Sequence, residues 1–432
     1  MSDPAAPRGR AGGPGGWAFA IVPLLTVVLI ITFSGDPRSS GSAYPSLVGV
    51  APVTTIGVPT TGSTVPPSST PSSTPLTMLP ATSGPVTTVA PMVPLVPARP
   101  LPAQGLYAGE RPPQFVLVSF DGAADQSLLE RWMTTASAVQ AHLTFFLSSV
   151  YLLGAASATD YHGPRHPAGQ SAIGFAPVKQ GQDVASFLRA TVGGLQAAQR
   201  AGHELAQHFG GHWCGPTGVG TWTAADWTAE LDQVDALATN IDANNALDPG
   251  VGSPFLVPPA GARTPCLEGR WDQLEPVLAS RGYRYDASPS RGLLDWPKTR
   301  NGLWVYGFPT VAIPGHRQGI LAVDYSLYVN LAGGKDVSAA RSTEIEQQVL
   351  DGYLGAFDQL YHGNRAPFEI GNHFTSLSGD AYNRAVERFL ANVCPQAEVH
   401  CVTYRELTDW MDAHRDQIPA FQAGTFPALA TP

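Results

Sequence analysis

From Pro112 onward, short apolar runs alternate with segments that are apolar at helical spacing, and this alternation narrows the folds open to the chain. Phe115–Phe120 is a short apolar run that stops at Asp121, as a buried parallel strand stops. Ser127–Gln140 then carries Leu128, Leu129, Trp132 and Ala136 on one helical face, and Leu143–Leu147 reads as the next strand. Val184–Arg200, with Leu188, Val192 and Leu195, is a helix stopped by Gly202. Another helix opens at Thr223 with Trp227, Leu231 and Val234 as its stripe. Pro254–Val257 is an expected short strand, Trp271–Ser280 a helix and Tyr283–Asp286 a strand. Ile345, Val349, Tyr353, Phe357 and Leu360 mark a long helix ending near Gly363, followed by a strand at Phe368–Gly371. Cys401–Thr403 is the last strand, and Thr403 with Glu406 forms a capping box for the helix through Met411. Alternation of this kind predicts an α/β fold, a parallel barrel or sheet.

Polar residues recur just after the expected strands: Asp121, His208, Arg263, Asp286 and His373. In parallel α/β folds that end is where sites are built. Within Gly202–His212, read GHELAQHFGGH, His208 and His212 stand four residues apart in a glycine-softened turn. Two imidazoles so spaced can face one point, as a zinc-type cation requires of two nitrogen ligands. An acidic group has to complete such a site, and Asp121 is the candidate.

The chain ahead of residue 111 is of another kind. Trp17–Phe33 is apolar apart from Thr26 and Thr32 and follows Arg8 and Arg10, so the start is expected to stay in the cytoplasm and the rest to be exported. Residues 1–35 therefore read as a cytoplasmic start plus a membrane anchor or signal segment, an uncleaved anchor through residues 17–33 being the favoured form. Residues 36–110 are rich in Thr, Ser, Pro and Val, cannot bury a core, and read as a disordered stalk. Residues 111–415 are expected to make the folded domain and 416–432 a tail. A formal charge of −9 and the lack of any Lys/Arg run exclude nucleic acid as a partner.

Four cysteines lie on the exported side, which suggests two disulfides out of three possible pairings. Cys394 and Cys401 are close and are paired here, which leaves Cys214 with Cys266. A thiolate metal site is the rival reading, and the absence of a CxxC spacing counts against it.

Taken in order, these fragments resemble the polysaccharide deacetylases with a NodB-type domain, carbohydrate esterase family 4, and its chitin-deacetylase branch. Ser119–Gly122 resembles the family's first motif, and Leu143–Phe146 its ATFF strand. GHELAQHFGGH resembles its second motif, Arg263–Gly269 its third. Tyr285–Ser288 with Asp295-Trp296-Pro297 resembles its YDSS and WP segment, and Glu369–Thr375 the strand that presents a late histidine. The resemblance spans roughly residues 111–413 and implies a deformed (β/α) barrel with a groove for a sugar chain.

It also implies a reaction: metal-dependent removal of N-acetyl groups from an amino-sugar polymer of the cell envelope, by a monomeric, extracytoplasmic domain. His208 and His212 would bind a divalent metal, zinc. Asp121 would be the base, Arg263 its orienting partner and His373 the acid, with Asp286 orienting or charging His373. Trp296 and Trp304 would offer faces to sugar rings. His203 fits a scaffold position. Two positions depart from the family pattern. Gly122 stands where a second aspartate is usual, and Phe209 where Ser or Thr is usual. Three outcomes stay open: Asp125 supplies the third ligand, Asp121 binds the metal and leaves the base role to Asp125, or metal binding is lost in a silent glycan-binding protein. An O-acetyl esterase on the same scaffold is a further reading.

Overall fold

A computed structural model describes residues 99–101, 106–107, 109–252, 255, 257–258 and 260–429. The expected anchor and nearly all of the expected stalk lie outside the described residues. Among the described residues, no helix is long and apolar enough to cross a membrane.

The elements run β1 (Gln114–Gly122), α1 (Gln126–Ala138), β2 (Thr144–Leu147), α2 (Val184–Arg200), β3 (Glu204–Gln207), α3 (Ala224–Thr239), α4 (Ile241–Asn244), β4 (Gly261–Ala262) and α5 (Trp271–Ser280). There follow β5 (Tyr285–Asp286), β6 (Ser290–Arg291), β7 (Lys298–Arg300), β8 (Leu303–Val305), β9 (Phe308–Val311) and β10 (Ile320–Leu321). The chain closes with α6 (Asp324–Ala332), α7 (Ala339–His362), β11 (Phe368–His373), α8 (Ala381–Val393), β12 (Val399–Cys401), α9 (Tyr404–Ala413) and α10 (Ile418–Ala423).

The main sheet has the order β11-β1-β2-β3-β4-β5-β8-β7, with β12 also paired to β1. Its pairs are parallel except β7 with β8. The sheet curls into a half-barrel with helices packed around it, and a small sheet of β10, β9 and β6 stands apart from it. An isolated bridge from Val323 to Gly371 brings the segment after β10 to the β11 edge. All nine residues of β1 are buried, as expected of a central parallel strand covered on both faces.

Local chemistry sets where the helices begin. Asp125 caps α1 and Asp183 caps α2, each accepting from a backbone N–H of the first turn. Thr223 with Asp226 and Thr403 with Glu406 close capping boxes at α3 and α9. Both disulfides pair as the spacing suggested, Cys214–Cys266 and Cys394–Cys401. Their sulfurs are therefore bonded to each other, and a thiolate metal site is excluded in this state.

Some elements differ from expectation. Of the strand expected at Pro254–Val257, Pro254 and Leu256 lie outside the described residues, while Phe255 and Val257 are irregular. The fourth strand is instead Gly261–Ala262. Helix α8 was not expected from the sequence, although Ala385, Val386, Phe389, Leu390 and Val393 form its buried stripe. At the two ends, Leu101 and Leu106 pack on the core, and Ile418 and Phe421 of α10 are buried in it.

Candidate active site

Because β1, β2, β3, β4, β5 and β11 run parallel, their C-terminal ends open on one side, and the chemistry-bearing residues collect there. Asp121 stands next to last in β1 and pairs in register with His373, the last residue of β11. His208 follows β3 directly, and Arg263 follows β4. The sequence order of these four residues spans most of the domain; the sheet alone makes them neighbours.

Arg263 is the anchor of the group. Its side chain has no solvent exposure. A buried guanidinium is tolerated only when its donors are used, and here they are. Nη1 donates to Asp121 Oδ1 and Ser119 Oγ, both at 2.9 Å. Nη2 donates to Tyr404 OH at 2.8 Å, and Nε to the Ala287 carbonyl at 3.1 Å. Phe146 and Phe308 cover its two sides, with ring centroids 4.0 and 4.3 Å from Cζ. Tyr404 OH passes the network on to Glu369, which Arg291 also holds. Burial alone would raise the Asp121 carboxyl. The Arg263 guanidinium, with His208 and His373, outweighs that and holds it below the usual carboxylate range.

His208 is arranged to keep one lone pair free. His208 Nδ1 donates to the Arg263 carbonyl at 2.9 Å, which fixes the tautomer and leaves the lone pair on Nε2. That Nε2 is buried and has no hydrogen-bond partner. It lies 4.0 Å from Asp121 Oδ2. The ring of His212 stands 5.1 Å from that of His208, at 62°. Burial holds His208 down despite the nearby Asp121 carboxylate. His212 is pulled down to about 3 by burial and by the two neighbouring histidines. An orphaned buried nitrogen and a second neutral imidazole are nitrogen donors in the protonation state that a zinc-type cation takes. His203 has no part in this; its Nδ1 accepts from Leu143 N at 3.0 Å and ties β3 to β2.

The second carboxylate is absent, and the backbone shows a reason. Gly122 has φ +105°, a conformation that favours glycine. Space is not the obstacle, since a Cβ there would come no closer than 3.7 Å to Tyr151. Asp125 does not replace the missing group. Its Oδ1 accepts from Leu128 N and Ser127 Oγ as the cap of α1, and its Oδ2 faces Lys179 Nζ at 3.8 Å. Among the described residues, the group of three metal-type donors within reach of one another is His212 with the disulfide-bonded Cys214 and Cys266; neither Asp125 nor Asp121 joins His208 and His212 in such a group.

His373 is served by a residue the sequence reading missed. Its Nδ1 donates to Asp324 Oδ1 at 2.6 Å, and its backbone N–H to Asp324 Oδ2 at 2.8 Å. Asp324 is buried at the first position of α6. Burial pulls the His373 imidazole down, but Asp324, and Asp121 beyond it, outweigh that and raise it to about 9. The expectation that Asp286 orients or charges His373 is corrected. Asp286 Oδ1 accepts from Ser288, and burial pushes its carboxyl up to about 7. The signal that marks Asp324 was present: an acidic residue directly after the short apolar run Ile320–Val323, the same pattern that marked Asp121.

A cavity of about 310 Å³ opens beside this group, lined by Asp121, Gly122, Tyr151, Phe187, His373 and Phe374 among others. Asp125 and Lys179 also line it. The expected sugar platforms are not part of it. Trp296 and Trp304 are both at least 96% buried. Trp296 Nε1 donates to the Asn364 carbonyl, and its ring packs on Phe421. Trp304 Nε1 donates to Asp412. Both are core residues whose single donors are satisfied inside the fold.

No family model matches the chain, and no curated protein matches it in sequence. Solved structures do resemble it. A protein described as a polysaccharide deacetylase from Mycobacterium smegmatis is 16% identical over 78% of this chain and 99% of that one, with a TM-score of 0.43. The peptidoglycan deacetylase PdaC of Bacillus subtilis is 11% identical over 71% and 96%, with a TM-score of 0.35. BA3943 of Bacillus anthracis, a pseudoenzyme of carbohydrate esterase family 4, is 10% identical over 72% and 70%, with a TM-score of 0.36.

Proposed function

We propose that this chain is a hydrolase that removes N-acetyl groups from an amino-sugar polymer of the cell envelope, peptidoglycan- or chitin-like. One observation carries the reading. Asp121 and His373, paired in register, are driven in opposite directions, the carboxyl toward its charged form and the imidazole toward its protonated form. Two neighbouring groups with pKa values pushed apart are the mark of an assigned base and acid.

An N-acetyl amide resists hydrolysis because its carbonyl is a weak electrophile and its amine a poor leaving group. Asp121 accepts the proton of the attacking water through the carboxylate oxygen that Arg263 leaves free. Arg263 keeps that carboxylate ionised and fixed in direction. His373, oriented by Asp324, gives its proton to the departing nitrogen. His208 and His212 would hold a divalent ion such as zinc. Bound there, such an ion supplies a lowered water pKa and a polarised carbonyl. The curled parallel sheet with its strand-end site supports a deformed barrel of the NodB type. Two disulfides support an oxidising, extracytoplasmic compartment. An anchor through residues 17–33 and a stalk would let the domain reach into a wall.

Acetate release from chitooligosaccharides and from peptidoglycan tests the reading, with Asp121→Asn and His373→Gln as controls. Release by the wild type and its loss in both variants is the expected result; equal release by all three would sink it. Release only from O-acetylated polymers would make the chain an esterase. Gly122 favours a second reading, a glycan-binding protein without activity, because the carboxylate expected there is missing. Glycan binding with no acetate release and no bound metal would establish that one.

A further inference from the structure

Between the two imidazoles runs the turn Phe209-Gly210-Gly211, and its backbone is held from outside. Phe209 O accepts from Ser149 N at 2.8 Å, and Gly211 O from Ala172 N at 2.8 Å. Gly210 N donates to Glu230 Oε1 at 2.8 Å. Gly211 N donates to Tyr161 OH at 2.8 Å, and that hydroxyl donates in turn to the Glu230 carboxylate at 3.0 Å. Both glycines sit flush against the pair. A Cβ on Gly210 would meet Tyr161 and Glu230 at 2.7 and 2.8 Å, and one on Gly211 would meet Tyr161 OH at 2.7 Å.

Two further facts single out this arrangement. Glu230 is 1% exposed on α3, and the groups bonded to it are the Tyr161 hydroxyl and backbone amides, none of them a cation. An apolar side chain would fill the same space without the cost of desolvating a carboxylate. Phe209 and His212, which flank the glycines, have φ +60° and +54°. Side chains other than glycine keep such conformations only where the surroundings enforce them.

We propose that Glu230 and Tyr161 are positioning residues that clamp this turn and thereby fix His212 beside His208, at a ring separation of 5.1 Å, as the pair that would share a divalent cation. The inference rests on the metal reading given above. Neither residue touches the ion; both act through the Gly210 and Gly211 amides. Groups that orient metal ligands from behind change metal affinity by about 10- to 100-fold when removed.

The test uses the full-length chain and cobalt(II) alone, whose visible absorption reports the ligand geometry. Glu230→Leu is expected to weaken cobalt binding by about 10- to 100-fold and to alter the visible bands. Glu230→Gln keeps an acceptor for the Gly210 amide and is expected to restore most of the affinity. Tyr161→Phe removes one oxygen, is mild enough to keep the fold, and is expected to weaken binding in the same direction; thermal melting checks each variant. Wild-type binding with affinity and spectrum unchanged in Glu230→Leu and Tyr161→Phe overturns the clamp alone. Absence of saturable cobalt binding in the wild type, or binding that survives His208→Ala and His212→Ala, removes the metal reading and the clamp together.

Discussion

Asp324 and His373 meet through two hydrogen bonds, one to the imidazole and one to the backbone of the same residue, at 2.6 and 2.8 Å. The carboxylate therefore fixes both where the ring starts and which nitrogen carries its proton. With Nδ1 committed, Nε2 is the atom left to face the reacting group.

On the proposed mechanism, this pair sets the alkaline limit of the activity. His373 must be protonated to act as the acid, and its pKa is raised to about 9. Activity is expected to hold through neutral pH and to fall above about 9. Asp324→Asn removes the largest raising cause and is expected to move the alkaline limb down toward the ordinary imidazole range of about 6.5. A limb left in place by that substitution would show that some other group titrates. The same sign governs stability. A raised imidazole stabilises the fold fully below about 6.5, and that contribution is lost as pH rises through about 9.

Arg263 makes a prediction about folding as well as catalysis. Replacing it with Met leaves the buried Asp121 carboxylate without its guanidinium. Loss of one member of a buried pair costs about 3–5 kcal/mol. Denaturant melting at neutral pH is expected to show a loss of that size. Because the depressed Asp121 carboxyl contributes stability above the unfolded carboxylate value of about 3.9, the gap between variant and wild type should shrink as the pH falls through the acid range. A gap independent of pH would contradict the pairing.

Metal content separates His208 and His212 from Asp125. His208→Ala and His212→Ala are each expected to lower bound zinc sharply in the purified full-length chain. Asp125→Asn is expected to leave zinc unchanged, because the Asp125 carboxylate serves the start of α1. Its effect should be a fraction of the ~1 kcal/mol that loss of a helix cap costs, since Asn also caps well. Zinc lost in Asp125→Asn would restore that residue as a ligand.

The tryptophans are expected to betray themselves as core. Trp296→Ala should cost about 3–5 kcal/mol of stability, the range for large aromatic deletions in a packed interior. At temperatures where the variant remains folded, KM for a chitooligosaccharide should stay near the wild-type value. A raised KM with unchanged melting would return Trp296 to the substrate groove.

Much of this molecule is legible in one dimension. Phe115–Phe120 ending at Asp121 and Phe368–Gly371 ending near His373 announce strands and the residues they carry, because strand period and strand end are local properties. The caps of α3 and α9 and the pairing of Cys394 with Cys401 depend on residues at most seven apart, and they too could be read directly. What the chain order concealed were choices among equals. Asp286 ends one short strand and Asp324 comes after another, and only the bridge from Val323 to Gly371 brings one of them, Asp324, to His373. Trp296 and Trp304 look alike as sugar platforms or as core, since the same ring serves either; burial decides, and burial depends on α10 and α9 folding back over them. The Glu230 clamp is hidden for the same reason, its partners Tyr161 and Gly210 standing 69 and 20 residues away. Amino-acid order sets which backbone segments form and which groups they carry. Only the packing of distant segments sets which carboxylate meets which imidazole, because that depends on ångström-scale distances between side chains that no local pattern encodes.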